Sequence, residues 1–481
     1  DNVIDGSWDF VNSSNNPTEL NSSGGHGTAV AGLMAAKGWN NLGTRGIAPN
    51  ASIIGYNYLK DQSTVAESQS LGVNPPGNVL ADIYNMSYGI ASSGFYSPDS
   101  IISSSLESAY INGTSNLRDG KGAIYTKSAG NGFDTGSGEY CGTDYTCTEL
   151  IVDKEKNVVY SIVVAALNAE GLKSSYSTTG PGIWVSGFGG EDGTNTAYSG
   201  FNSARGNKPA MMTVDKSSCT RGYVQTGVAL GSGSNYNEFN SGDNPENPSC
   251  NYVSDFGGTS SAAPTVAGVV ALMLEANPDL TWRDVKHILA NTSDKIDPLR
   301  RVTLGDDENG ENGIAQYEWE TNSAGYEFHN WYGFGKVNAA AAVASAKEYT
   351  ANSLGSFVST GYIGSGEVNI DFGDGETITS SLAVTSPSGS NNNVEFVRVS
   401  LQFTHTYPFD VGVRLLSPDG TEINIMQAQT NVTDTGSALF DIGVSALYGE
   451  SIEGTWTIGL SDFYQEDSGT LIQWGIEVYG N

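Results

Sequence analysis

One serine, one histidine and one asparagine in this chain stand among glycines and other small residues that would let a second molecule come close. Ser260 lies in Gly258-Thr259-Ser260-Ser261-Ala262-Ala263-Pro264, just ahead of an apolar stretch that reads as a helix. A helix N-terminus offers free N–H groups and partial positive charge, which favour an oxyanion forming beside a nucleophile. Taken alone, a serine there is more often only an N-cap. His26, in Gly25-His26-Gly27-Thr28-Ala29-Val30-Ala31-Gly32, opens a second small-residue helix, whereas His287, His329 and His405 have no comparable setting. A serine nucleophile needs a base within hydrogen-bond reach, and neutral histidine is the usual one. Asn131, in Ser128-Ala129-Gly130-Asn131-Gly132, follows a predicted strand. Its amide there can donate to a tetrahedral oxyanion, and losing such a donor typically costs about 3–4 kcal/mol of transition-state stabilisation. The plain alternative is an Asn-Gly turn. Together the three residues point to acyl transfer at a carbonyl.

The elements that must position them alternate. Residues 52–59, 79–87, 122–128 and 158–166 read as strands, and residues 28–36, 100–110, 264–276 and 281–289 as helices. That rhythm predicts an α/β fold, a largely parallel sheet covered by helices, with residues 264–276 apolar almost all round and therefore central. Residues 187–256, rich in Gly, Asn and Ser, read as a long loop. After residue 346 the pattern changes to two-residue alternation, as in Val397, Val399, Leu401 and Phe403, with turns such as Ser417-Pro418-Asp419-Gly420. This predicts a β-sandwich at residues 351–481, joined through a linker at 351–359 to a first domain at 1–350.

Composition narrows the partners. The chain has 481 residues with 53 acidic against 22 basic side chains, a formal charge of −31. Such a surface repels phosphate backbones, so no nucleic acid is expected, nor an anionic membrane. The longest apolar stretch, residues 266–276, is too short to span a bilayer. No Met or signal sequence opens the chain, which starts at Asp1 as a processed protein would. The four cysteines, Cys141, Cys147, Cys219 and Cys250, form no C-x-x-C pair and no cluster with histidine, so zinc is not expected. Two disulfides in an oxidising compartment are, with nearest-neighbour pairing taken from three connectivities.

The three motifs, in the order His, Asn, Ser, resemble those of the subtilisin-like serine proteases. Ser7-Trp8-Asp9-Phe10, Asp82-Ile83-Tyr84-Asn85-Met86-Ser87-Tyr88-Gly89 and the run from Leu274 to Val285 are similar to the kexin/furin branch. His405-Thr406, Leu416-Ser417-Pro418-Asp419-Gly420-Thr421, Gly454-Thr455-Trp456-Thr457 and Trp474 resemble that branch's C-terminal P domain. The resemblance implies a subtilisin-like sheet followed by a jelly-roll-like sandwich. It also implies a bacterial-type endopeptidase, secreted or periplasmic, acting on proteins and peptides and assisted by a propeptide or chaperone. Ser260 would be nucleophile, His26 base, and Asn131 oxyanion donor. Ser87, Tyr88 and Gly89 would pair with the substrate backbone as an added strand.

The chain departs from that family in three places. No D-[ST]-G or D-D-G motif precedes His26, so the triad carboxylate is expected upstream of Asp1. Asp5, in Val3-Ile4-Asp5-Gly6, precedes Ser7–Phe10, which the family places after the triad Asp. Without that carboxylate a loss on the order of 10⁴ in turnover is expected. A catalytically silent binding protein on the same fold is the alternative. Secondly, Ser23, Ser92 and Thr178 stand where the family has acids; Asp144 is the candidate acid of the specificity pocket, and a basic residue before the scissile bond is the expected preference. Thirdly, the turn at residues 36–46 resembles a family Ca²⁺ loop, with Asn40 as a ligand. Asp371, Asp374 and Glu376, or Asp462, Glu466 and Asp467, are acidic turns that would suit the same ion.

Overall fold

The computed structural model describes residues 2–18, 24–90, 101–133, 149–193, 209–227, 237–300, 318–433, 435–464 and 466–481, and the backbone of 302–306 and 312–316. Strands β1 (Ile83–Met86), β2 (Ile124–Ser128), β3 (Ser161–Leu167) and β4 (Val185–Phe188) form one sheet in that order, every neighbour parallel. All residues of β2 and β3 are buried, as a parallel sheet covered on both faces requires. The helices are α1 (His26–Ala35), α2 (Thr64–Ser70), α3 (Ser104–Asn116), α4 (Thr259–Ala276), α5 (Trp282–Thr292) and α6 (Ala339–Glu348). The central one is α4, packed on all four strands, on α1 and on α6. It is the one described helix long and apolar enough to cross a membrane, and the sheet buries most of it. Helix α5 starts on a full capping box, Thr281 with Asp284.

Three expectations need correction. Residues 52–59 are not a strand: they make single parallel bridges, Ile53 to Val3 and Tyr56 to Trp8, before a short 3₁₀ turn at Tyr58–Lys60. Their other side faces a groove of about 600 Å³, bounded across by the edge of β1 that no other described strand pairs and floored by Ala267, Gly268 and Ala271 of α4. The predicted long loop contains β4's end and a bulged antiparallel ladder, β5 (Met211–Val214) with β6 (Tyr252–Phe256). The Cys219–Cys250 disulfide closes the intervening segment as expected; Cys141 and Cys147 lie outside the described residues. Val224, Val253 and Phe256 from this region pack against Ala29, Val30 and Leu33, so the insertion props α1. Finally, α3 begins at Ser104, where the Ser103 hydroxyl caps the Leu106 N–H.

The C-terminal part is a sandwich of two antiparallel sheets. One centres on Val394–His405 beside Ser468–Gly480; the other runs Thr377–Val384, Gly454–Asp462, Val411–Leu416, Glu422–Met426. Val397, Val399, Leu401 and Phe403 are buried on the inner face, as their alternation predicts. The sandwich is bonded to the α/β part. Arg283 of α5 forms a buried pair with Glu395 through Nε at 2.9 and 3.1 Å, and its Nη1 donates to the Gly355 carbonyl at 2.7 Å. Asn157 Oδ1 accepts the Gly443 N–H at 2.9 Å, and Asn330 Nδ2 donates to the Asn424 carbonyl at 2.9 Å.

Candidate active site

Ser260 sits in the first turn of α4, whose N-cap, Gly258, has a φ of 97° that a Cβ would strain. Pro264, one turn later, lacks the N–H that would bond the Ser260 carbonyl. The Ser87 hydroxyl takes that place, donating to the Ser260 carbonyl at 3.0 Å. In return, the Ser260 hydroxyl donates to the Ser87 carbonyl at 3.3 Å. The start of α4 is thereby tied to the segment just past β1.

Asn131 is exposed, but its amide is not free to turn. Its Oδ1 accepts from both the Thr259 N–H and the Thr259 hydroxyl, each at 2.8 Å. The Thr259 hydroxyl also accepts from the Gly130 N–H at 3.0 Å. With the oxygen engaged, Nδ2 is the outward group, and it lies where a Cβ on Gly258 would be 3.0 Å away. An amide donor therefore stands beside the N-terminus that carries Ser260.

His26 begins α1, half-buried, its ring edge-on to Phe256 at 5.6 Å. Burial pulls its pKa below the usual value, and no charged group offsets this. No carboxylate among the described residues pairs with it: Asp5 lies in an exposed turn, and Asp215, which approaches Gly25, accepts backbone N–H groups of Lys216, Tyr223 and Val224. No hydrogen bond joins His26 to Ser260 among the described contacts.

Ser87, Tyr88 and Gly89 follow β1 directly, outside its paired residues. Asp144 lies outside the described residues, as do Ser23 and Ser92. The acid that the fold does bring here is Asp153, which motif reading missed. A Cβ on Gly89 would lie 2.6 Å from its Oδ2. In sequence, Asp153-Lys154-Glu155-Lys156 looks like a solvated charge run; the one signal against it is the apolar strand that follows at once. In the structure Asp153, Glu155 and Lys156 are buried. Thr178, where an acid was sought, accepts the Gly132 N–H at 3.0 Å.

The calcium expectation finds little support in these residues. The Asn40 side chain accepts the Leu42 N–H at 3.1 Å in an exposed turn, and no group of three or more Asp, Glu, His or Cys suited to a metal occurs among the described residues. Asp371 and Asp374 accept hydrogen bonds from Thr470 and Asp467, and Asp462 lies 3.4 Å from His405. One carboxylate oxygen each of Asp371 and Asp374 is thus engaged internally.

A serine at the start of a buried helix, an amide fixed beside it and a lone imidazole on a neighbouring helix define an α/β protein with a serine-hydrolase type of site. Residues 2–335 match the model of the subtilase family, Peptidase S8, and residues 394–478 that of the proprotein convertase P-domain. The chain belongs to the subtilase family. It is 33% identical over 73% of its length to an extracellular serine protease of Aeromonas sobria, and 32% identical over 70% to kexin of Saccharomyces cerevisiae. It spans only 54% and 32% of those two proteins. The crystal structure of the Aeromonas sobria protease superposes over 100% of this chain and 85% of that one, at TM-score 0.84 and 28% identity. The same protease bound to its chaperone superposes at 0.85, with 27% identity and the same coverage. Two cyanobacterial relatives, from Nostoc and Trichormus variabilis, are named calcium-dependent protease, at 27% and 26% identity.

Proposed function

We propose that the protein is a secreted serine endopeptidase, with a protease domain at residues 1–350 and a P domain at 351–481. A peptide lies extended along Ser87, Tyr88 and Gly89. The Ser260 oxygen attacks the scissile carbonyl carbon while its proton passes to His26. Asn131 Nδ2 and the Ser260 N–H hold the oxyanion. The C–N bond then breaks as His26 returns the proton to the leaving amine. Water, giving a proton to His26, attacks the acyl carbon and releases Ser260. The observation that carries this reading is the Asn131 amide, locked by Thr259 against the helix turn bearing Ser260.

The carboxylate that orients His26 comes, on this reading, from a segment preceding Asp1, laid as a further strand in the groove beside β1. The groove supports this: a strand edge unpaired among the described residues on one side, residues 51–58 opposite and small residues of α4 beneath. The family resemblance and the Aeromonas complex support a propeptide or chaperone as partner.

A fluorophosphonate probe on protein expressed with its upstream segment tests the assignment. Ser260 is expected to be labelled, and Ser260→Ala and His26→Ala to lose both label and peptide hydrolysis. Labelling of another serine, or hydrolysis by Ser260→Ala, would remove it. A structural Ca²⁺ at the Asn40 turn rests on the resemblance and on the cyanobacterial relatives' names. Chelation by EDTA is expected to lower Tm by several degrees, on the order of 1–2 kcal/mol, and an unchanged melt removes the ion from the proposal.

A further inference from the structure

Gly89 and Gly130 face one buried ion pair. A Cβ on Gly89 would lie 2.6 Å from Asp153 Oδ2 and 3.6 Å from Lys156 Nζ; one on Gly130 would lie 3.1 Å from the same Nζ. Gly89 belongs to the segment tied to Ser260 through Ser87, and Gly130 precedes the oxyanion donor Asn131. On the endopeptidase reading, a peptide whose carbonyl reaches Ser260 and Asn131 directs the side chain before the scissile bond toward these two glycines. Asp153 and Lys156 stand directly against the two glycines, where side chains at 89 and 130 would otherwise lie, so the ion pair is the floor that a substrate side chain directed there meets at once.

The floor is already balanced. Asp153 Oδ2 is 3.4 Å from Lys156 Nζ and 4.0 Å from Lys127 Nζ, and Lys127 binds Glu155 at 2.7 Å. All four side chains are buried, two ammonium groups against two carboxylates. Tyr88 covers the set, its ring 4.2 Å from Lys127 Nζ. Burial alone would raise the Asp153 pKa, but Lys127, Lys156 and the Glu155 N–H outweigh it and hold the carboxyl ionised. A guanidinium or ammonium from substrate would be a third cation over two carboxylates, an uncompensated charge in a buried place.

We propose that Lys156 sets the specificity of this site: its ammonium fills the role of a basic substrate side chain on Asp153, so the pocket selects an uncharged residue before the scissile bond. This rests on the endopeptidase reading and departs from the basic preference that the family resemblance implies. Removing Lys156 frees Asp153 and turns the preference toward Arg and Lys.

The test measures kcat/KM for one peptide series with Leu, Met, Phe, Lys or Arg before the scissile bond. The parent protein, expressed with its upstream segment, is expected to prefer the uncharged residues by about tenfold or more. Lys156→Met and Lys156→Gln are expected to raise the Arg-to-Leu ratio by on the order of 100-fold, and Asp153→Asn added to either to abolish the gain. Two Lys156 variants are used so that a folding defect in one leaves the other to decide; fluorophosphonate labelling of Ser260 reports which are intact. A parent that prefers Arg or Lys, or labelled variants with unchanged ratios, overturns the proposal for the pocket alone. A parent unlabelled at Ser260 overturns the endopeptidase reading instead, and the pocket proposal falls with it.

Discussion

The Ser87 hydroxyl donates to the Ser260 carbonyl at 3.0 Å, filling the place that Pro264 leaves vacant one turn into α4. The first turn of that helix would otherwise hold a half-buried acceptor without a donor. Ser87→Ala is therefore expected to cost about 1–3 kcal/mol in stability. It is also expected to lower kcat about tenfold through a displaced Ser260, with a smaller change in KM. Urea unfolding and steady-state kinetics check both; an unaltered kcat would show that the bond serves the helix only.

Thr259 acts on Asn131 rather than on substrate. Thr259→Val removes the hydroxyl that bonds Asn131 Oδ1 but leaves the backbone N–H. A loss of about tenfold in kcat is expected, against 10²- to 10³-fold for Asn131→Leu, with KM little changed in either. If the two variants fell equally, the amide's orientation would depend wholly on that hydroxyl.

His26 carries a pH signature. Its folded pKa is lowered by burial, and in the proposed mechanism a protonated imidazole cannot accept the Ser260 proton. The acid limb of an NMR titration on this chain should therefore lie below the ordinary histidine value of about 6.5. A carboxylate supplied by an upstream strand would favour the imidazolium and move the same limb upward. Identical midpoints with and without the upstream segment would rule out that carboxylate as a partner of His26.

Glu395 holds the two parts of the chain together through Arg283. Glu395→Ala leaves a guanidinium buried without a counter-charge, and a loss of about 3–5 kcal/mol is expected. Denaturant unfolding followed by tryptophan fluorescence reads it. Replacing both residues with apolar ones should cost less than the single change, since the orphaned charge is gone.

What could be read in the chain beforehand was whatever is written locally. His26, Asn131 and Ser260 lie where small residues meet a helix or strand end, so a few neighbours suffice to mark them. The inward row Val397, Val399, Leu401 and Phe403 is local in the same way. Asp153 is not: its place depends on Gly89 and Gly130, from two other strand ends, closing over it. Nor was β4 visible, because Val185–Phe188 includes a glycine and a serine and takes its strand form from pairing with β3. Residues 52–59 show the converse. Their apolar character is genuine, but a strand needs partners along its length, and the bridges to Val3 and Tyr56's to Trp8 are isolated.

The junction between the sandwich and the α/β part has a consequence for how long such a molecule would last among its own kind. Its bonds end largely on backbone: the carbonyls of Gly355 and Asn424 and the N–H of Gly443. On the endopeptidase reading, neighbouring copies cut chain that has come loose enough to be drawn out straight, and these anchors protect the stretches they hold. Cutting would have to wait for larger, rarer openings. Loosening the junction should therefore shorten the lifetime of a concentrated sample well before it changes the turnover of any one molecule.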